Sequence, residues 1–365
     1  MPPPDAAVAA LVERAAEEVD AGRLPSCQLA LARDGEVINL VTLGKASDES
    51  RYVVFSVTKA VVAAAIWLLI AEGRLAAETR VVDLVPEFGS NGKEAVTLEH
   101  LLTHTAGIAR APLRPAEGAT REARLRRFAQ WRLDWPPGTQ TEYSTVSHHW
   151  VVAELIERAT GSNYREYVNN RVLDALGLAR LRLGVPLDEQ DDVVEISLLE
   201  AAAPPAIELP LASEHGYTLL YNDPAVRAAG VPGAGAIGGA ADVALLYQAL
   251  LHNPDRLFDP AVLADGTSHI RNTLIDPWIR VPANRTLGLG VAGDDGNAML
   301  RQFGRTIGPR AFGASGIGGQ IAWADPDTGL SFCYLTNGVE ADPIVSFTRA
   351  DALSTLAGVV AESIR

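Results

Sequence analysis

The chain has 365 residues, 48% of them hydrophobic and 21% charged, with a formal net charge of -14. That length and composition exclude disordered and fibrous classes and allow one large core or two lobes. The acidic excess argues against a nucleic acid or an anionic membrane as partner, because both would be repelled.

The first twenty residues lack a basic start and a continuous apolar core, so no secretory signal is expected. Val8, Leu11, Val12 and Ala15 recur at helical spacing and predict a surface helix from Asp5 to about Ala21. Strand-like runs begin at Cys27 and Glu36, and the Asp34-Gly35 pair between them predicts a hairpin. Cys27 and Cys333 are the chain's two cysteines, each in an apolar run, and are expected as reduced core thiols rather than a disulfide. The longest apolar run, Ala60 to Ala71, is too short to span a bilayer and predicts a buried helix. A soluble cytoplasmic enzyme is expected, monomer or homo-oligomer, with no membrane and no nucleic-acid partner.

The middle of the chain is mostly helical in pattern. Thr97 can cap a short helix through Leu101-Leu102 that ends at Ala106-Gly107. A turn at Trp135-Pro136-Pro137-Gly138 precedes Tyr143. Val152, Leu155, Ile156 and Ala159 share the face of a helix stopped by Gly161, and a further helix runs from about Asn163 to Ala175. The stretch 184–222 is acidic, then broken by prolines, and reads as loop. A helix from Ala241 to Leu251 follows. Gly319–Ala324 and Leu330–Thr336 form a second hairpin around Asp325–Gly329, and a helix from about Pro343 to Ser363 ends the chain. Strands at both ends with helices between predict a sheet built from the two termini.

The chemistry concentrates at Ser56-Val57-Thr58-Lys59, where a strand-like run meets the buried helix. Residues three apart share a side of the first turn, which puts the Lys59 amine beside the Ser56 hydroxyl. A serine hydroxyl needs a base to take its proton, and a desolvated lysine is neutral often enough to serve. The helix N-terminus favours developing negative charge. Tyr143-Ser144-Thr145 is a second element, since a phenol near a lysine can relay a proton. A third is Phe312–Gly319, whose glycines let a substrate lie against backbone.

In this order, Ser56-Val-Thr-Lys59, Leu101-Leu-Thr-His-Thr-Ala-Gly107, Pro137-Gly138 with Tyr143-Ser144, and Gly316-Ile-Gly-Gly319 with Ala324-Asp-Pro326 resemble the β-lactamase-like serine hydrolases. That superfamily includes class C β-lactamases, D-Ala-D-Ala carboxypeptidases, family VIII carboxylesterases and some acyltransferases. The resemblance runs from about Pro25 to Gly338. It implies an α+β fold: an antiparallel sheet flanked by the terminal helices (1–82 and 285–365), an inserted mainly helical domain (83–284), and a site in the cleft between them. It implies Ser56 as nucleophile, Lys59 and Tyr143 as the general-base pair, and the N–H groups of Ser56 and Ile317 as oxyanion hole. Thr145, Ala314, Ser315 and Gly316 would line the substrate cleft. His104 would tie backbone together.

Two departures bear on substrate. Thr145 stands where the family carries an asparagine, and Ala314 where it carries lysine or histidine. Losing that cation removes the partner of a substrate carboxylate. The expectation is therefore a carboxylesterase acting on an uncharged small-molecule acyl ester, with no cofactor and no metal. An acyltransferase of the same fold, an amide hydrolase of the D-aminopeptidase or β-lactamase type, and a non-catalytic binding protein stand as alternatives. Gly233–Gly238 fits the letters of a dinucleotide fingerprint, but no apolar strand precedes it, so a turn flanking the cleft is expected. His148 and His149 are adjacent and His100 and His104 lack a third ligand, which favours structural histidines over zinc.

Overall fold

The computed structural model describes residues 3–199 and 215–365. Six strands form the main sheet: β1 (Ser26–Arg33), β2 (Glu36–Gly44), β3 (Gly290–Val291), β4 (Phe312–Gly316), β5 (Gln320–Ala324) and β6 (Leu330–Thr336), in the order β2-β1-β6-β5-β4-β3. All pairs are antiparallel. The hairpin turn between β1 and β2 has positive φ at Asp34 (54°) and Gly35 (82°), the conformation that an Asp-Gly pair tolerates best. The two ends of the chain meet where β1 pairs with β6 from Cys27↔Thr336 to Arg33↔Leu330. β1 and β6 are buried almost throughout, whereas the edge strand β2 is largely half-buried. Apolar runs without alternation therefore mark the centre of the sheet.

One face of the sheet is covered by α1 (Pro4–Asp20) and α5 (Pro343–Ser363). Leu11 and Ala15 of α1 pack with Leu353 and Ala357 of α5 over Leu29, Trp323 and Phe332 of the sheet. By length and composition alone α5 could cross a membrane, although the sequence reading singled out only Ala60–Ala71; its face carrying Ala350, Leu353, Ala357, Val360 and Ala361 is buried in this core. The second, larger core lies on the other face and contains α2 (Thr58–Ala71), α3 (Ser147–Thr160) and α4 (Ala240–His252). α2 has no polar face, and from Thr58 to Leu69 every residue is buried. Cys27 and Cys333 are free thiols within the two cores.

The helix expected at 163–175 runs as Tyr164–Val168 and then as wider turns through Asp174. α4 packs on the sheet: Gln248 donates to Ala32 O, Gly329 O and Ser331 Oγ at 2.8–3.0 Å. Its place differs from the expectation that 83–284 is one inserted unit. The reason is local: α4 presents Val243, Ala244, Tyr247 and Leu250 as an apolar stripe, and the open sheet face offers the matching surface. The stretch 184–222 lies partly outside the described residues; within them it includes the strand Ser197–Leu199, paired in parallel with Gly338–Glu340.

Candidate active site

Ser56 lies where the chain turns from strand into helix. Tyr52–Val53 pairs with Ala236–Gly238, and Val54 N–H donates to Ala236 O at 3.0 Å. Ala236 N–H donates in turn to Thr58 Oγ1 at 2.9 Å. One residue thus holds the chain on both sides of Ser56. Between these ties Phe55 has a φ of 44°, in the left-handed region that bulky residues seldom enter.

Lys59 follows one turn later, as the three-residue spacing requires. Its Nζ stands 3.0 Å from Ser56 Oγ and donates to Thr145 O and Gly233 O, both at 2.9 Å. Ser56 is 6% and Lys59 3% exposed, so these contacts are screened little by water. The two carbonyls engage two N–H groups whether the lysine is charged or neutral. Toward Ser56, an ammonium donates its third proton, whereas an amine accepts the serine's.

Tyr143 comes from the loop before α3 and stands beside Lys59 and Ser56 in the cleft. Lys59 Nζ and Arg285 Cζ each lie 4.9 Å from its ring centroid. Burial pushes the phenol up, but the charges of Lys59 and Arg285 and the polar side chains of Lys59 and Ser56 outweigh it. The phenol is held below its ordinary value. His104 packs against this ring, 4.5 Å between centroids, and its Nδ1 accepts the Ser144 N–H at 3.0 Å. His148 and His149 from α3 stand behind it, 5.4 and 6.3 Å between ring centroids. Burial is the main reason that all three imidazoles stay neutral, with nearby positive charge adding to it.

The opposite wall is the end of β4 and its turn into β5. A side chain at Gly316 would put a Cβ 3.1 Å from Ser56 N, so glycine keeps that N–H approachable. Gly318 and Gly319, with φ of 83° and 91°, make the turn that follows Ile317. Arg349 of α5, paired with Glu340, donates to Gly318 O at 3.0 Å and fixes this turn from beneath. Ser56, Lys59, Tyr143 and Thr145 on one side and Ala314 to Ile317 on the other line a single cleft of about 930 Å³.

The structure brings together every residue expected at the site. It also adds three that the sequence reading missed in these roles. Thr145, expected to line the cleft but without the family's amide, contributes its carbonyl; Gly233 contributes another; and Arg285 reaches the Tyr143 ring. A carbonyl carries no residue-type signature, and Arg285 lies in no motif. The one available signal was the glycine-rich run at Gly233, read as a turn beside the cleft.

A family model described as Beta-lactamase matches residues 8–356. The chain is 30% identical over 283 residues to Esterase EstB of Burkholderia gladioli, covering 67% of this chain and 69% of that protein. It is 27% identical over 318 residues to Esterase/beta-lactamase LipL of Mycobacterium tuberculosis, covering 80% and 70%. A penicillin-binding protein homolog from Caulobacter crescentus superposes with a TM-score of 0.80 at 28% identity, over 97% of each chain. A family VIII carboxylesterase does so with a TM-score of 0.76 at 24% identity over 94% and 96%, a likeness of fold.

Proposed function

The chain belongs to the beta-lactamase family and is a hydrolase of that fold, and from this premise we propose that it is a carboxylesterase acting through an acyl-enzyme at Ser56. The observation that carries the reading is the Ser56–Lys59 contact at 3.0 Å on the wall of a cleft large enough for a small or medium acyl ester. Leu113, Ile279, Leu300, Phe303 and Phe347 supply apolar walls, which suit an uncharged acyl chain. The names of EstB and LipL agree with ester cleavage.

Ser56 Oγ attacks the ester carbonyl as its proton passes to the Lys59–Tyr143 pair. The carbonyl oxygen gains charge between the N–H groups of Ser56 and Ile317. The same pair returns the proton to the departing alkoxide. Water then repeats the sequence on the acyl-serine and releases the acid. The test combines turnover of p-nitrophenyl butyrate with intact-mass detection of an acyl adduct, beside Ser56→Ala. Turnover and adduct, both absent from the variant, are expected; undiminished activity in Ser56→Ala would overturn the reading.

A further inference from the structure

Arg285 is half-buried in the cleft wall, with its guanidinium over the Tyr143 ring. Among the described residues it has no ion-pair or side-chain hydrogen-bond partner. Of the three other cleft arginines, Arg110 is paired with Glu142 and Arg301 with Asp295, while Arg114 has its side chain exposed to water. An arginine left without a carboxylate in a partly dry cleft is costly unless its charge is used. Its backbone is held firmly, since Arg285 and Asn272 bridge through Arg285 N–H to Asn272 O and Asn272 N–H to Arg285 O, both at 3.1 Å. Asn272 is buried and donates to Thr103 O at 2.8 Å and to Thr141 Oγ1 at 2.9 Å. Those two residues flank His104 and Tyr143. The segment carrying Arg285 is therefore stitched to the loops that present the phenol.

Among the described residues, the charges that act on that phenol are those of Lys59 and Arg285. Lys59 approaches from α2. His104, with His148 and His149 behind it, is neutral, and Glu142 next in sequence is neutralised by Arg110. Across the cleft β4 offers Ala314 and no cation. We infer that Arg285 is a positioning residue for proton transfer: its guanidinium supplies the second positive charge that stabilises the Tyr143 phenolate, in place of a cation on β4. The inference rests on the acyl-enzyme reading above, with Tyr143 in the base pair. Removing one of two charges at this distance raises the phenol and starves the reaction of its base form at neutral pH, while alkaline pH restores it.

The experiment is a pH–rate profile of kcat and kcat/KM for p-nitrophenyl butyrate in wild type, Arg285→Gln and Arg285→Lys, with melting temperatures as a check on folding. Arg285→Gln is expected to lose roughly tenfold in kcat near pH 7 and to recover about two pH units higher, because one unit of pKa is a factor of ten in base form. Arg285→Lys keeps the charge and stays near wild type. An unmoved profile, an equal loss at every pH, or a change in KM alone would overturn the inference. Failure of the acyl-enzyme reading looks different: wild type itself would then form no Ser56-dependent adduct.

Discussion

The chain contains the Ser-x-x-Lys spacing twice, at Ser56–Lys59 and at Ser90–Lys93, and the two copies are held in closely similar ways. Both lysines are buried, both donate to two backbone carbonyls, and both stand over an aromatic ring, Tyr143 at 4.9 Å and Phe88 at 5.3 Å. The differences are three. Ser90 donates its hydroxyl proton to Ala129 O at 2.8 Å, so its oxygen is not set up to lose it to Lys93. The ring beside Lys93 has no hydroxyl. Neither Ser90 nor Lys93 lines the large cleft. Burial of a lysine beside a serine thus makes a structural clamp as readily as a reactive pair. A second proton acceptor and room for a substrate separate the two.

The comparison breaks most sharply at the serines. Ser56→Ala is expected to abolish ester turnover, whereas Ser90→Ala should leave kcat within about twofold, as for a surface hydroxyl remote from the reaction. Equal losses in both would end the distinction. Lys59→Ala should cost at least a factor of about a hundred in kcat/KM, the usual cost of a lost general base. Lys93→Met should leave the kinetics alone but lower stability by roughly 1–2 kcal/mol, because the carbonyls of Ser90 and Trp131 each lose one of two donors and keep the Lys93 N–H and the Asn91 amide respectively. Denaturant unfolding of that variant beside wild type measures it.

The smallest effect concerns the histidines, which surround the first pair and not the second. His148 is pushed down to about 3, and His104 and His149 are held well below the ordinary value, all chiefly by burial. The unfolded chain takes up these protons near pH 6.5 and the folded one does not, so stability is complete above that pH and falls as pH drops below it. Each histidine contributes up to about 1.4 kcal/mol per pH unit in the window between pH 6 and pH 5. His149 has no hydrogen bond at either ring nitrogen among the described residues, so His149→Leu should flatten the slope by about a third. Melting curves across that window that are parallel in variant and wild type would contradict the assignment.

Much of the molecule was legible before any coordinates. The boundaries of α1 and α5, the C-terminal stop of α3, the two hairpins, the buried helix after Ser56 and the Thr97 cap all follow from short-range rules of periodicity, turn chemistry and capping. β4 was read only as an approach to β5, because Phe312-Gly-Ala-Ser-Gly316 has too few β-forming side chains to announce a strand. The three-residue spacing put Lys59 beside Ser56, since one helical turn is a local property.

Sequence alone therefore determined which residues could do the chemistry and where the chain would bend to present them. Tertiary structure alone decided which of two identical spacings opens onto the large cleft. It did so with groups that no local pattern marks: the carbonyls of Thr145 and Gly233, the guanidinium of Arg285, and the pairing of β1 with β6 that closes the sheet. The physical reason is that desolvation, charge and cleft shape at a point in space sum over every segment packed there, however far apart those segments lie along the chain.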